Sequence, residues 1–357
     1  LADLKRGIGI PGDSGESAAK PPPWLSREVY DPTFISRFFN ENVFSFVFAW
    51  HCSLVIGFSL PSLLAALVFT NNSNTAKKAL KRYVATGEHL IAWHVDGDIF
   101  DTTSKSFVSM QGVRAGHAAV RKDMTDKIPP TKGKAWMSMY NMACVQSGFC
   151  GALTIVPKSF GLHASAQEME KYVEFWRCIG YQLGVSDEYN LCSRGKSTAD
   201  SIIWEIIDSV LLPDIARPPQ EYHPMADAYI EGLNMLFLGF PVLSVRSTLA
   251  YTYSALGRKV PCMCLFDILR FYLLKLIVCL MSFKTVRFSM NYALKKTMLQ
   301  MGAEIAVDPG LAHLGKRGRC TCLGWVVLVL VVFVSVLVGA MGVVAWESIV
   351  KGWGIWQ

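Results

Sequence analysis

Two short stretches hold the side chains best suited to chemistry. Arg82 and Thr86 lie four residues apart, and further along Val113, His117 and Arg121 repeat that spacing, with Arg114 one turn before the histidine. Residues four apart share a helix face, so each stretch reads as a helix that gathers its polar side chains on one side. The neighbours of His117 are small (Ala115, Gly116, Ala118, Ala119), which predicts an open floor where something flat and bulky can approach the imidazole. An imidazole flanked by arginines suits haem: the ring supplies an axial nitrogen and the guanidiniums pair with propionates. The same pattern also fits a core histidine packed among small neighbours, and spacing alone does not separate the two.

The residues themselves go further. Arg82 and Thr86, followed by Val113, Arg114, His117, Ala118, Val120 and Arg121, resemble the family that groups bacterial latex-clearing proteins (rubber oxygenases) with fungal ER-bound oxygenases that cleave a prenyl side chain. The likeness continues through Tyr140–Phe149 and Glu168–Gly184 and covers roughly residues 35 to 250. What it implies is an all-α fold, haem b with His117 as proximal iron ligand, and O2 as co-substrate. It also implies an unsaturated isoprenoid or similar lipid cleaved at a C=C bond. Arg82 and Thr86 would then act in catalysis, and Arg82, Arg114, Arg121 and Arg177 are the arginines available to propionates. Two departures stand out. Ala85 occupies the position of the family's catalytic lysine, and no residue clearly matches the upstream glutamate.

The composition fits an apolar partner. Charged residues make up only 18% of the 357, and hydrophobic ones 52%, where soluble domains carry about 25% charged. That deficit predicts a membrane protein or a very apolar interior. The net charge of +7 gathers at Lys77, Lys78, Lys81 and Arg82 and again at Lys316, Arg317 and Arg319. No nucleic-acid-binding motif accompanies these clusters, so they read as lipid-facing or topology-setting charge. The ten cysteines show no zinc spacing. Cys320 and Cys322 sit where juxtamembrane palmitoylation occurs. His94, Asp96 and Asp98 invite a metal, although a short polar turn of this kind is also simply a loop.

The elements that must position these residues are nearly all helical. Residues 1–28 read as a flexible Gly/Pro/Ser-rich arm, 29–315 as one helical domain, 323–346 as a transmembrane helix and 347–357 as a short tail. Asn42–Thr70 reads as two core or membrane-contacting helices broken near Pro61. Helices are further expected over Thr75–Ala92, Thr102–Lys122, Trp136–Val156, from the Ser165/Glu168 capping box to Leu183, and over Ser197–Leu211, Met225–Phe240 and Val242–Leu256. Cys262–Phe283 has the pattern of an amphipathic helix on a membrane or in an oligomer interface. Leu323–Trp346 is uncharged and bounded by tryptophans, and the basic cluster before it places the large domain in the cytosol. The expectation is an oxygenase held at an endomembrane, the endoplasmic reticulum by family, and able to form a homo-oligomer. Two alternatives stay open: a membrane haem protein for electron transfer or haem handling, with His51, His89 or His94 as second ligand, and a helical lipid-binding protein without haem.

Overall fold

The computed structural model describes residues 1–307 except Arg27, Glu28 and Leu238, with side chains described to Gln300. The expected transmembrane helix 323–346 and tail 347–357 lie outside the described residues. Within them the chain is all-helical; the sole strand-like pairing is an isolated bridge between Pro11 and Ser138. Eleven helices carry the fold: α1 Pro32–Gly57, α2 Pro61–Thr70, α3 Ala76–Val95, α4 Lys105–Lys127, α5 Met139–Ile155, α6 Ala166–Gln182, α7 Gly195–Ile206, α8 Tyr222–Asn234, α9 Val245–Ala255, α10 Leu265–Leu280 and α11 Lys284–Val307.

The order of events is legible in the caps. Asp31 accepts from the amides of Thr33 and Phe34 with Pro32 opening α1, and Ser138/Asn141 and Ser165/Glu168 form reciprocal capping boxes on α5 and α6. Thr33, Arg37, Asn40 and Glu41 face solvent, but from Asn42 onward apolar residues in α1 are spaced so closely that none of its residues is exposed. Phe38, Phe39, Val43, Phe46, Ala49 and Trp50 are all buried, so α1 is the central helix. It packs against α3, α5, α9 and α11. Each such side chain, fully buried, contributes about 1.5–3 kcal/mol.

The break anticipated near Pro61 is present: α1 and α2 meet at 94°. Among the described residues no single helix is long and apolar enough to cross a membrane, and this bent pair passes only as a pair. A second irregularity was not anticipated. Asn42 leaves helical geometry (φ −136°, ψ 22°) inside α1, which frees backbone groups in a buried place. Asn291 of α11 takes both: its Oδ1 accepts from the Phe44 amide at 2.9 Å and its Nδ2 donates to the Glu41 carbonyl. Asn291→Ala is expected to lower stability by about 1–3 kcal/mol, the penalty for a buried backbone group left unsatisfied, seen as a lower urea midpoint.

The N-terminal segment differs from the free arm expected. Its backbone pairs with residues before α5, through Ala135 N to Ile8 O (3.0 Å), Gly12 N to Met137 O (2.9 Å) and Met139 N to Ile10 O (2.9 Å). Leu4 is buried against Met139, Met142 and Tyr189, and Asp13 meets Arg114. Glycine and proline suggested a loose segment, but here they serve a strap, helical over Ala2–Gly9 and extended at Ile10, whose hydrogen bonds are made with another loop.

Candidate active site

Arg82 and Thr86 on α3 and His117 on α4 line one cavity of about 1110 Å³. The shared helix face read from the sequence brings them together. α3 packs against α4, Thr75 and Ser104 cap the two helices, and the remaining walls are mostly aromatic and aliphatic residues of α1, α2, α5, α6, α8, α10, α11 and the loop before α9.

His117 is the central group. Its Nδ1 is buried with no hydrogen-bond partner. Burial, reinforced by the positive charges of Arg121 and Arg82, pushes the imidazole down from 6.5 to about 4, so it is neutral at physiological pH and its ring nitrogen can serve as a ligand. Arg82 is half-buried, and its Nη1 donates to the Thr70 hydroxyl at 3.0 Å. No described carboxylate pairs with it. Thr86 donates its hydroxyl proton to the Arg82 carbonyl at 3.1 Å, which leaves its oxygen lone pairs as the part on offer.

The other arginines are placed differently. Arg114 is turned to the N-terminal strap, with Nε 3.1 Å from Asp13 and Nη2 on the Glu16 carbonyl. The fit depends on Gly184, at φ +88°, where a Cβ would lie 2.8 Å from Asp13 and 2.9 Å from Arg114. Arg177 forms a two-toothed pair with Asp187 (2.9 and 2.8 Å) and lies 4.0 Å over Trp24. Neither Arg114 nor Arg177 lines the cavity. Arg121 is near enough to act electrostatically on both His117 and Asp13.

The small-residue floor is also elsewhere. Ala115, Gly116 and Ala119 face solvent, and a Cβ added at Gly116 would meet nothing. On α3, Gly87 lets the Met298 methyl of α11 pack closely on the cavity wall, where an added Cβ would lie 2.8 Å from it. Sequence spacing found both helices that carry the polar groups but not α11, whose Met298 packs on Gly87.

The remaining histidines separate clearly. His51 lines the cavity with both ring nitrogens engaged, Nδ1 with the Tyr229 hydroxyl (3.1 Å) and Nε2 with Thr248 (3.0 Å). His94 is enclosed by Phe39, Phe46 and Phe175, with Nδ1 2.6 Å from the Leu90 carbonyl. It is turned into the core, away from Asp96 and Asp98, and no three His, Cys, Asp or Glu residues cluster as a metal site among the described residues. His89 reaches the cavity with Nδ1 held by Ser109 at 2.8 Å.

Burial of neutral histidines has a consequence for stability. His117 and His94 titrate near 4 in the folded chain against 6.5 in the unfolded one. Between those values the unfolded state binds more protons, so stability falls as pH drops through that window and holds above it. The gap corresponds to about 3 kcal/mol per histidine. Urea midpoints at pH 7, 5 and 4 are expected to fall in that order, and a His117→Ala background should flatten part of the slope.

The family model for the ER-bound oxygenase mpaB/B′ and rubber oxygenase catalytic domain matches residues 36–258. No curated protein and no solved structure matches the chain. The matched region contains α3, α4 and the polar residues they bring together, while α10 and α11, which complete the apolar cavity, lie beyond it; the family implies O2 and a hydrophobic substrate. The chain therefore belongs to the ER-bound oxygenase/rubber oxygenase family and contains its catalytic domain.

Proposed function

We propose that this domain is a haem-b-dependent oxygenase, membrane-anchored at the endoplasmic reticulum, that cleaves a C=C bond of an unsaturated isoprenoid or related lipid. One observation carries the reading. A single apolar cavity holds both a neutral histidine with a buried, unpartnered nitrogen and an arginine with no carboxylate against it. That donor set fits haem: His117 would hold the iron and Arg82 a propionate. When bound, haem supplies the O2 activation that no side chain provides.

The chain's own residues do the rest. His117 arrives deprotonated, so binding needs no proton release at neutral pH. Arg82 is fixed by Thr70 and keeps further N–H groups for an anion. Thr86 offers an acceptor oxygen, and Ala85 offers no ammonium, so proton delivery here does not follow the lysine route. The apolar walls exclude water and strengthen the few polar contacts present. The cavity exceeds the roughly 300–1,000 Å³ of common ligand sites, room for a macrocycle with an extended apolar chain beside it. Of the second ligands a carrier would need, His51 has both nitrogens engaged and His94 is enclosed by aromatic rings away from the cavity, while His89 lines the cavity with Nδ1 on Ser109, so the absorption spectrum decides between oxygenase and carrier.

The test is the absorption spectrum and pyridine haemochrome of the detergent-purified full chain. A b-type Soret band and a ferrous form that binds CO are expected. A six-coordinate low-spin spectrum in both redox states would favour a haem carrier. Protein purified without haem that also fails to bind added haem would leave a lipid-binding role.

A further inference from the structure

We infer that the cavity mouth docks on an anionic lipid bilayer through the exposed faces of α10 and α11, so that an apolar substrate enters from the membrane. Phe240, Phe266 and Leu269 line the cavity and are also 64%, 69% and 49% exposed. The cavity therefore opens onto an apolar surface. On α10, Leu265, Leu269 and Tyr272 continue that surface at helical spacing. On α11, Lys284, Phe288, Tyr292 and Lys296 recur every four residues, with Phe288 75% and Tyr292 64% exposed. Lysines with aromatic rings on one helix face are the pattern of helices at a lipid headgroup boundary, where rings enter the interface and ammoniums meet phosphates.

Charge selects the occupant. Lys284, Arg287, Lys295 and Lys296 lie in α11 with no acidic residue before Glu304. They edge a groove whose single carboxylate is Glu41. Lys295 is held by the Asn40 side chain and Arg287 by the Met281 carbonyl, both neutral partners, and no described carboxylate pairs with either. A second copy on this face would set the same cations against each other. In sequence, the basic stretch Lys316, Arg317 and Arg319 does not complement these cations. Anionic lipid complements both the rings and the cations. The oxygenase reading enters only in what the docked mouth admits; the docking itself stands on the surface.

The experiment uses the full chain reconstituted in vesicles of phosphatidylcholine alone or mixed with phosphatidylserine. A photo-activatable diazirine side chain is placed at Phe266, at Phe288 or, as a control, at exposed Lys122, and adducts are identified by mass spectrometry. Lipid adducts at 266 and 288 are expected to exceed those at 122 severalfold and to rise severalfold with phosphatidylserine. Lys295→Glu with Lys296→Glu should remove the phosphatidylserine increase, with the circular dichroism spectrum unchanged. Adducts to a second copy or to residues 308–357 in place of lipid would overturn the inference. So would equal lipid labelling at all three sites or equal yields on the two vesicle types. The readout needs neither haem nor turnover, so it can fail while the oxygenase reading stands, and the reverse.

Discussion

His117→Ala is expected to give a folded protein that retains no haem, with the b-type Soret band lost and oxygenase activity absent. The energetic argument has two parts. Nδ1 has no partner in the folded chain, so removing the ring breaks no hydrogen bond and relieves a desolvated polar atom. The haem-free variant should therefore unfold within about 1 kcal/mol of haem-free wild type. The haem-loaded wild type should be more stable than either, by about 2.7 kcal/mol at a free ligand concentration of 100 Kd. Thermal melts of the four samples, with and without added haem, check both parts. A variant that kept its Soret band would remove His117 as the ligand. His94→Ala is the informative contrast. That ring fills a space between Phe39, Phe46 and Phe175, so its loss should destabilise the fold while haem is retained.

The second large effect is expected at Trp176. Its side chain is 1% exposed, stacked on Phe149 at 5.7 Å and 12°, and edge-on to Tyr172 and Phe175. Its Nε1 is buried near the Tyr172 hydroxyl, and its contacts are chiefly those of ring packing. Trp176→Ala should cost about 3–5 kcal/mol, a large share of the 5–15 kcal/mol of a typical domain. Trp176 also forms part of the cavity wall, so truncation would join the cavity to the core. Urea unfolding should show a much lower midpoint with an unchanged slope. Trp176→Phe, which keeps a stacked ring, should recover most of the loss.

How far the sequence carried these conclusions depended on the range of each signal. Arg82, Thr86 and His117 were found because the residues at those positions match the family's motif and because helical spacing is local. The capping box at Ser165 and the break at Pro61 were legible for the same reason. What the sequence did not give is contact across the fold. Arg114 lies one turn from His117 and looked equally well placed, yet Asp13, 101 residues away, captures it. Gly87 on α3, against which Met298 packs, belongs to the cavity wall, whereas Ala115, Gly116 and Ala119 beside the histidine face solvent. α11 was not anticipated at all, because its mixture of lysine, aromatic and small residues has no clean apolar stripe. Its place is set by α1 and α3, which it packs against.

The Asn291 clasp on the kink of α1 has a consequence for how the chain folds. The residues it joins, Phe44 and Asn291, are 247 apart. Contacts of such separation close late because the intervening chain must be ordered first, and they slow folding. During synthesis the central helix emerges early but keeps two unpaired backbone groups in its middle until α11 leaves the ribosome. A nascent chain stopped before residue 291 should hold α1 incompletely seated and bind chaperones, and release should coincide with the arrival of α11.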